Sequence, residues 1–164
     1  MRKLLTTAAA GLLCVIALAQ TNITKVDKIS PTDEVFMDMA VTAAQTAKGQ
    51  GLKPCGAVVI LNGAWRSTGM PAAGKTAEAA AIDKSRRTRL TNGTIYTINQ
   101  PTSEAVNAIN ASGAEAVYFV NPAEAVIAAG IYTAADYDPA KIDTTLVAVP
   151  MHQLIYAPAS ALLK

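Results

Sequence analysis

Residues 93–120 read GTIYTINQPTSEAVNAINASGAEAVYFV, and this stretch holds a strand pattern, a helix pattern and a second strand pattern. Residues 93–99 and 115–120 are rich in β-branched and aromatic side chains, which favour strands. Residues 102–112 carry apolar side chains at helical spacing, and Gly113 is a typical helix end. Strands joined by a helix of about ten residues predict right-handed βαβ crossovers with parallel pairing.

A helix and a hairpin are predicted upstream of this crossover. Ser30 and Pro31 are typical of a helix start, and Gly49 or Gly51 of its end. Residues 55–67 read CGAVVILNGAWRS, where Asn-Gly favours a type I′ turn between antiparallel strands. The sequence therefore predicts an α/β fold with a mixed sheet, in which the hairpin strand is antiparallel at one edge.

One more helix is predicted before the crossover, and further elements follow it. A loop rich in Gly, Pro and Ala, residues 68–74, leads into a helix that carries Glu78. Downstream, Asn-Pro predicts the start of a helix over residues 121–130, and TLVAV predicts a strand over residues 145–149. The apolar C-terminal end has no pattern that assigns it to an element.

The N-terminus has the three parts of a secretory signal peptide. Arg2 and Lys3 form a charged region, residues 4–18 are apolar, and an A-x-A cleavage pattern ends at Ala19. A membrane anchor would need about 20 apolar residues and no cleavage pattern. We therefore expect residues 1–19 to be cleaved and the protein to be periplasmic or secreted.

Downstream of the cleavage site, we expect a polar leader over residues 20–29 and a domain over residues 30–164.

The processed chain would be uncharged overall. Removal of Arg2 and Lys3 takes the basic residues from 14 to 12, against 12 acidic residues. This balance argues against nucleic acid and anionic membrane as partners. Since Cys55 is the one cysteine left, no intramolecular disulfide is expected.

The one basic run is expected to be a solvated helix face near a helix C-terminus, where cations complement the helix dipole. This interpretation is favoured over a phosphate-binding patch. The basic run consists of Lys84, Arg86, Arg87 and Arg89.

Five segments, in order, resemble the cytidine and nucleobase deaminase family, above all its guanine deaminase and tRNA adenosine deaminase branch. KPCGAVVI with Asn-Gly resembles the family hairpin PxGAVIV, TAEAAAI resembles HAExxAI, and GTIYTINQPTSEAVNAI resembles LYTTxEPCxxCxxAI. SGAEAVYFV resembles the next strand and AAGIYTAADYD the segment AxxGFDD. The resemblance covers about residues 36–138 and implies a three-layer α/β/α cytidine deaminase-like fold.

The resemblance also implies that the family's zinc site is degenerate. Family members hold zinc with the His of HxE and both Cys of PCxxC, and the zinc activates the attacking water. The corresponding positions here are Thr76, Thr102 and Ala105. Because a neutral hydroxyl is a poor ligand and an alanine side chain has no ligand atom, zinc is predicted to be absent, with no other cofactor. Glu78 stands at the family's general acid/base position and is interpreted as vestigial.

Other residues are candidates for a pocket or for a rewired metal site. The pocket candidates implied by the resemblance are Cys55, Gly56, Ala57, Pro101, Ser103 and Glu104. A different metal could be held by Cys55, Glu78, Glu104 and His152, although nothing in the sequence fixes their geometry. A structural or surface role is favoured for His152, and a buried apolar role for Cys55. Stabilisation by the helix dipole alone would also account for Glu78.

Three hypotheses of function follow. The first is an exported, catalytically inactive protein of the deaminase fold that binds a small nucleobase-like ligand or a partner. The second is an enzyme with zinc-independent or rewired-metal chemistry that uses Glu78, related to the hydrolytic nucleobase and nucleoside deaminases. The third is an assembly role, in which alanine-rich helices pack between subunits of a homodimer. No nucleic acid or membrane partner is expected once the signal peptide is removed.

Overall fold

The computed structural model describes residues 23–26, 28–98, 101–120 and 150–154. These ranges contain six strands and three helices. In chain order they are β1 Ile23–Val26, α1 Pro31–Gly49, β2 Ala57–Leu61, β3 Ala64–Gly69, α2 Ala77–Lys84, β4 Gly93–Thr97, α3 Ser103–Ser112, β5 Ala116–Val120 and β6 Met151–Leu154. The predicted signal peptide, the helix over residues 121–130 and the strand over residues 145–149 lie outside the described residues.

The described strands form one mixed sheet in the order β1-β6-β5-β4-β2-β3. Strand β2 is antiparallel to both β3 and β4, and the other pairs are parallel. The hairpin therefore lies at one edge and the parallel strands continue from it, as the sequence predicts. A parallel sheet buries both faces under helices.

Two core clusters lie on opposite faces of this sheet. Apolar side chains of α1, including Met37 and Val41, pack with Val58 and Ile60 on one face. Side chains of α2 and α3 pack on the other face with Val59 and its neighbours. Because successive strand residues point to opposite faces, this alternation places the helices in two outer layers. The three-layer α/β/α architecture is confirmed.

The hairpin turn has the geometry that its sequence predicts. Asn62 and Gly63 have φ angles of 52° and 74°, and positive values at both central positions define a type I′ turn. Leu61 and Ala64 pair directly across this turn. The register shifts between Val59 and Ile60, which marks a bulge in the ladder.

Two glycines let helices lie directly on the sheet. A Cβ atom added at Gly56 would lie 2.1 Å from the Ala40 carbonyl oxygen of α1. At Gly69, the end of β3, it would lie 2.1 Å from the Ala77 carbonyl oxygen of α2. Both distances are far below van der Waals contact, so only glycine permits this approach. The position of α2, and with it Glu78, is therefore fixed against β3.

Within residues 20–29, the stretch predicted as a polar leader, the structure describes one strand. Ile23–Val26 form β1 and pair in parallel with β6, with Ile23 opposite Met151. The β-branched residues of ITKV favour a strand, and the edge of β6 provides the backbone partners. Ile23–Val26 are thus part of the sheet.

The basic run is exposed, as predicted, although most of it follows the helix. Helix α2 ends at Lys84. Arg86 has a left-handed φ of 55°, a value that interrupts a right-handed helix.

None of the helices in the described ranges combines the length and apolarity that a membrane span requires.

Candidate functional site

The site implied by the resemblance lies where two helix N-termini meet the carboxyl end of β4. Strand β4 ends at Thr97, and α3 begins a few residues later at Ser103. Helices α2 and α3 pack against each other on the same face of the sheet. In open α/β sheets, ligands bind beyond the carboxyl ends of the strands, close to such helix N-termini.

Glu78 is buried at this place. It lies in the first turn of α2 and only 6% of its surface is exposed. The Thr97 hydroxyl, itself 1% exposed, donates a hydrogen bond of 2.7 Å to Glu78 Oε1. A carboxylate in the first helical turn is favoured by the helix dipole, and hydrogen bonds to charged acceptors are the stronger kind. Glu78 is therefore held inside the domain rather than placed on a solvated surface.

The partner of Glu78 was not predicted from the sequence, although a signal for it exists. Tyr96 packs with α1 on one face of the sheet. Since side chains alternate along a strand, Thr97 must point to the other face, where α2 lies. A polar side chain on the inward face of a buried strand needs a hydrogen-bond partner, and Glu78 provides it.

Thr76 and Thr102 are the N-caps of the two helices. The Thr76 hydroxyl oxygen accepts a hydrogen bond from the Ala79 amide at 3.3 Å, and Thr102 accepts one from the Ala105 amide at 3.5 Å. Each cap satisfies one of the amide groups that a helix N-terminus leaves without an internal partner. Thr102 is thus the N-cap of α3, and Thr76 has the same role for α2.

These residues do not fit a zinc ion. Both threonine oxygens already accept from helix amides, and a neutral hydroxyl is a poor zinc ligand beside imidazole or thiolate. The third position, Ala105, is a methyl group with 1% of its surface exposed, packed in the core with Ala57 and Ala77. The donor set that the family uses is not available at these positions.

The remaining pocket candidates are not all brought together. Cys55 is half-buried and packs against the core cluster that contains Ala57, Ala77 and Ala105. A side chain at Gly56 would point towards α1, on the other face from Glu78.

The loop before α3 supplies the last three candidates. Pro101 is buried, whereas Glu104 is exposed in the first turn of α3. Ser103 begins α3, and its side chain lies outside what the structure describes. Of these three, Pro101 is therefore the one shown to be buried beside the helix start.

His152 is on the wrong face for the rewired metal site. Its ring stacks on Tyr118 at a centroid distance of 4.6 Å, and Tyr118 stacks on Tyr96 at 5.0 Å. These side chains form a row across three parallel strands on the face that α1 covers, opposite Glu78. No group of three or more His, Cys, Asp or Glu side chains converges within the described ranges. Of the structural and surface roles favoured for His152, this stacking agrees with the structural one.

The buried end of this row is tied to α1. The Tyr96 hydroxyl donates a hydrogen bond of 2.6 Å to Asp33 Oδ1. Burial raises the pKa of Tyr96 far above its ordinary value, and the hydrogen bond to Asp33 raises it further. Burial and then the Asp33 charge raise the pKa of Tyr118 in the same direction. The row is therefore a structural link between the sheet and α1, separate from the site around Glu78.

Comparison with known proteins gave similarity at the level of structure. No family model and no curated protein sequence matches this chain. A structure from studies of A-to-I editing by tRNA:A34 deaminases at the wobble position of transfer RNA has a TM-score of 0.53 at 20% identity. That alignment covers 79% of this chain and 97% of the other.

Two further similar structures are of the protein NE0047. A mutant in complex with 8-azaguanine has a TM-score of 0.57 at 16% identity, with 79% of each chain covered. The complex with 2,6-diaminopurine has a TM-score of 0.55 at 12% identity, covering 82% of this chain and 79% of that one. Likeness at such identities shows a shared fold. With its mixed sheet between two helical layers, the chain has the cytidine deaminase-like fold.

Proposed function

We propose that this protein is exported, is catalytically inactive as a zinc-dependent deaminase, and binds a small nucleobase-like ligand or a partner. The observation that carries the proposal is the use of Thr76 and Thr102 as helix caps. Their oxygens serve the helix amides at the positions where the family places ligands, and Ala105 contributes only a methyl group.

Hydrolytic deamination needs an activated water molecule. In the family, zinc lowers the pKa of that water towards neutrality, and a glutamate transfers its proton. Glu78 is present at the glutamate position, but Thr76, Thr102 and Ala105 supply no ligand set of the family's kind. A carboxylate hydrogen-bonded to a threonine hydroxyl can accept a proton, yet none of the described residues beside it is of a kind that generates the nucleophile.

A nucleobase-like ligand is proposed from the fold and from the polar groups at the site. NE0047, which shares the fold, has been solved with 8-azaguanine. Here the buried Glu78 carboxylate is an acceptor that could bind an N–H group of a purine or pyrimidine. Export is proposed from residues 1–19 alone.

Metal content and ammonia release test the proposal. The purified protein, prepared without chelators, is analysed for zinc and then incubated with cytosine, guanine and their nucleosides. We expect zinc far below one equivalent per chain and no ammonia above a buffer blank. Zinc-dependent ammonia release from any of these substrates would refute the proposal.

A variant that restores the donor set is the matched control. The triple substitution Thr76→His, Thr102→Cys and Ala105→Cys places an imidazole and two thiols at the family's positions. We expect this variant to bind zinc under conditions in which the native protein does not. Equal zinc binding by both proteins would show that other residues hold the metal.

An enzyme with zinc-independent chemistry is the second candidate, favoured by the hydrogen bond between Thr97 and Glu78. A buried carboxylate in a fixed orientation is the group that a general base requires. If the protein turns over a nucleobase or nucleoside without metal, Glu78→Gln should abolish turnover, while Glu104→Gln, on the exposed first turn of α3, should not. Full activity in Glu78→Gln would exclude this candidate.

A homodimer remains a separate proposal, based on the alanine-rich helices. Sedimentation velocity at micromolar concentration tests it. A strictly monomeric protein would exclude the dimer without affecting the proposals about chemistry.

A further inference from the structure

Five cations lie around the C-terminal end of α2, at the other end of that helix from Glu78. Lys84 is the last residue of α2, and the loop that follows it carries three arginines. The fifth cation comes from β3, where Arg66 Nε donates a hydrogen bond of 3.1 Å to the Ser85 main-chain carbonyl. All five side chains are exposed, and together they form the basic surface: Arg66, Lys84, Arg86, Arg87 and Arg89.

No carboxylate of the described ranges forms an ion pair with the basic surface. The salt bridge recorded in those ranges joins Asp83 of α2 to Lys75, so the carboxylate next to Lys84 in sequence is already paired. At the far end of the loop, Glu115 accepts a hydrogen bond of 3.0 Å from the Asn92 amide. The described residues therefore leave a concentrated positive charge here, on a chain that would be neutral overall once processed.

The helix dipole accounts for Lys84 alone, because it acts within the last turn of a helix. Beyond that turn, buried residues hold the loop at both ends. Ser85 is buried, and its hydroxyl oxygen accepts a hydrogen bond of 3.3 Å from the Arg87 amide. Leu90 is buried as well, and its amide donates to the Ser112 carbonyl at 2.7 Å. The arginines between these two points are thus displayed from a fixed loop.

Arg86 has a backbone conformation that is unfavourable for arginine. Its φ of 55° is in the left-handed region, and it follows the C-cap Ser85, at the position where helices most often place glycine. The other non-glycine residues with positive φ in the described ranges are Asn62 and Asn92, and asparagine tolerates this region better than arginine does. Glycine at position 86 would favour folding, so the arginine is present at the expense of stability.

The surroundings of the basic surface distinguish between classes of anionic partner. Proteins bind single-stranded nucleic acid with aromatic side chains placed among cations, and residues 85–92 contain none. Trp65 pairs with Ile60, which packs under α1, so its ring lies on the other face of the sheet from α2. Lipid surfaces are bound through apolar side chains that insert among the lipids, whereas Leu90 of this loop is fully buried.

We propose that the basic surface binds a linear anionic polysaccharide through the carboxylates of successive sugar units. Such a polymer needs neither a stacking platform nor the apolar core of a protein interface. Guanidinium groups present planar forks that match carboxylates, and several of them on one surface suit a repeated charge. The basic surface lies away from Glu78, so this proposal does not depend on the function proposed above.

Fluorescein-labelled polygalacturonate, which carries a carboxylate on every sugar unit, is the probe. Its methyl ester has the same backbone without the charge. In fluorescence anisotropy at low ionic strength, we expect saturable binding of polygalacturonate that weakens as salt is added, and binding of the ester at least about tenfold weaker. Absence of polygalacturonate binding, or equal binding of the two polymers, would overturn the proposal. So would stronger competition, at equal charge concentration, by an oligonucleotide or by phosphatidylserine vesicles.

Two triple variants separate the basic surface from net charge. The first removes three cations whose side chains form no hydrogen bond with the described residues, namely Arg86→Gly, Arg87→Gln and Arg89→Gln. It should weaken polygalacturonate binding about tenfold, because each exposed ion pair contributes a few-fold. The matched control removes the same charge from exposed positions elsewhere, namely Lys25→Gln, Lys28→Gln and Lys53→Gln. The control should stay within about twofold of the native affinity, and equal weakening by both triples would overturn the proposal.

Arg86→Gly alone tests whether the left-handed arginine serves binding. We expect its melting temperature to rise by about 2–4 °C, since glycine adopts this conformation without strain. We also expect its affinity for polygalacturonate to fall about twofold to threefold. A purely structural role for Arg86 would not combine better folding with weaker binding. Native affinity in this variant would overturn the proposal, and circular dichroism of each variant confirms that its fold is retained.

Discussion

Replacement of Gly69 by alanine should separate α2 from the sheet. The added methyl carbon would lie 2.1 Å from the Ala77 carbonyl oxygen, 2.4 Å from the Ala81 amide nitrogen and 2.8 Å from the Ala81 Cβ. Two of these atoms belong to the helix backbone, so no rotation of a side chain relieves the overlap. Helix α2 must instead move outward by about 1 Å or more to reach ordinary contact distances.

The cost follows from what that movement breaks. Overpacking of a well-packed site costs about 1–3 kcal/mol. The shift would also stretch the 2.6 Å hydrogen bond from Ser67 Oγ to the Ala81 carbonyl, which is worth about 1 kcal/mol. We therefore expect Gly69→Ala to lower the free energy of unfolding by about 2–4 kcal/mol.

Urea unfolding followed by circular dichroism measures this loss. Gly49→Ala is the matched control, because a Cβ atom at Gly49, the last residue of α1, meets nothing within 4 Å. That control should be stabilised by about 0.4–1 kcal/mol, since alanine reduces the freedom of the unfolded chain. If the free energy of unfolding of Gly69→Ala lies within about 0.5 kcal/mol of the native value, the close contact between α2 and β3 is incorrect.

Three other predictions concern the caps and the buried hydrogen bonds. Thr102→Ala should destabilise the protein by about 1 kcal/mol in urea, whereas Thr102→Ser, which keeps the capping oxygen, should cost much less. Thr97→Val should lower the free energy of unfolding by about 1.5–3 kcal/mol. In a double-mutant cycle with Glu78→Leu, the double variant should lose less stability than the sum of the two single variants, and additive losses would refute the hydrogen bond. Because folding raises the pKa of Tyr96, its contribution is complete below about pH 10, where unfolded tyrosine is neutral, and is lost as the pH rises further. Stability curves should therefore fall less steeply above pH 10 in Tyr96→Phe than in the native protein.

The elements with local signals could be predicted from the sequence. Ser30, Thr76 and Thr102 are N-caps, and each accepts from the amide three residues later. The Asn62-Gly63 turn has the positive φ angles that this dipeptide permits at low cost. Caps and tight turns depend on a few neighbouring residues, so their chemistry is readable without knowledge of the rest of the chain.

The features that depend on distant pairing could not be predicted in this way. Strands β1 and β6 are short, and their pairing joins residues more than a hundred positions apart in the chain. The stacked row of Tyr96, Tyr118 and His152 exists because these residues are in register across β4, β5 and β6. Register between separate strands is set by the whole sheet, which no local pattern contains.

Each threonine cap provides a hydrogen-bond acceptor for one amide of its own helix start, a role that requires no cation. Thr102 accepts from the amide of Ala105, the residue whose side chain would have been the third ligand, while the methyl group of Ala105 extends the core. Under the proposed function, a single substitution back to a metal ligand adds no metal-binding free energy to the stability of the protein. Thr76→His would lose a cap worth about 1 kcal/mol and leave an imidazole with no other ligands to share a metal. Only the three substitutions together could recover that loss as metal-binding free energy, so each intermediate is less stable than the present site. The arrangement is thus held by helix capping and core packing, which is the physical reason to look for ligand binding at this site rather than for hydrolysis.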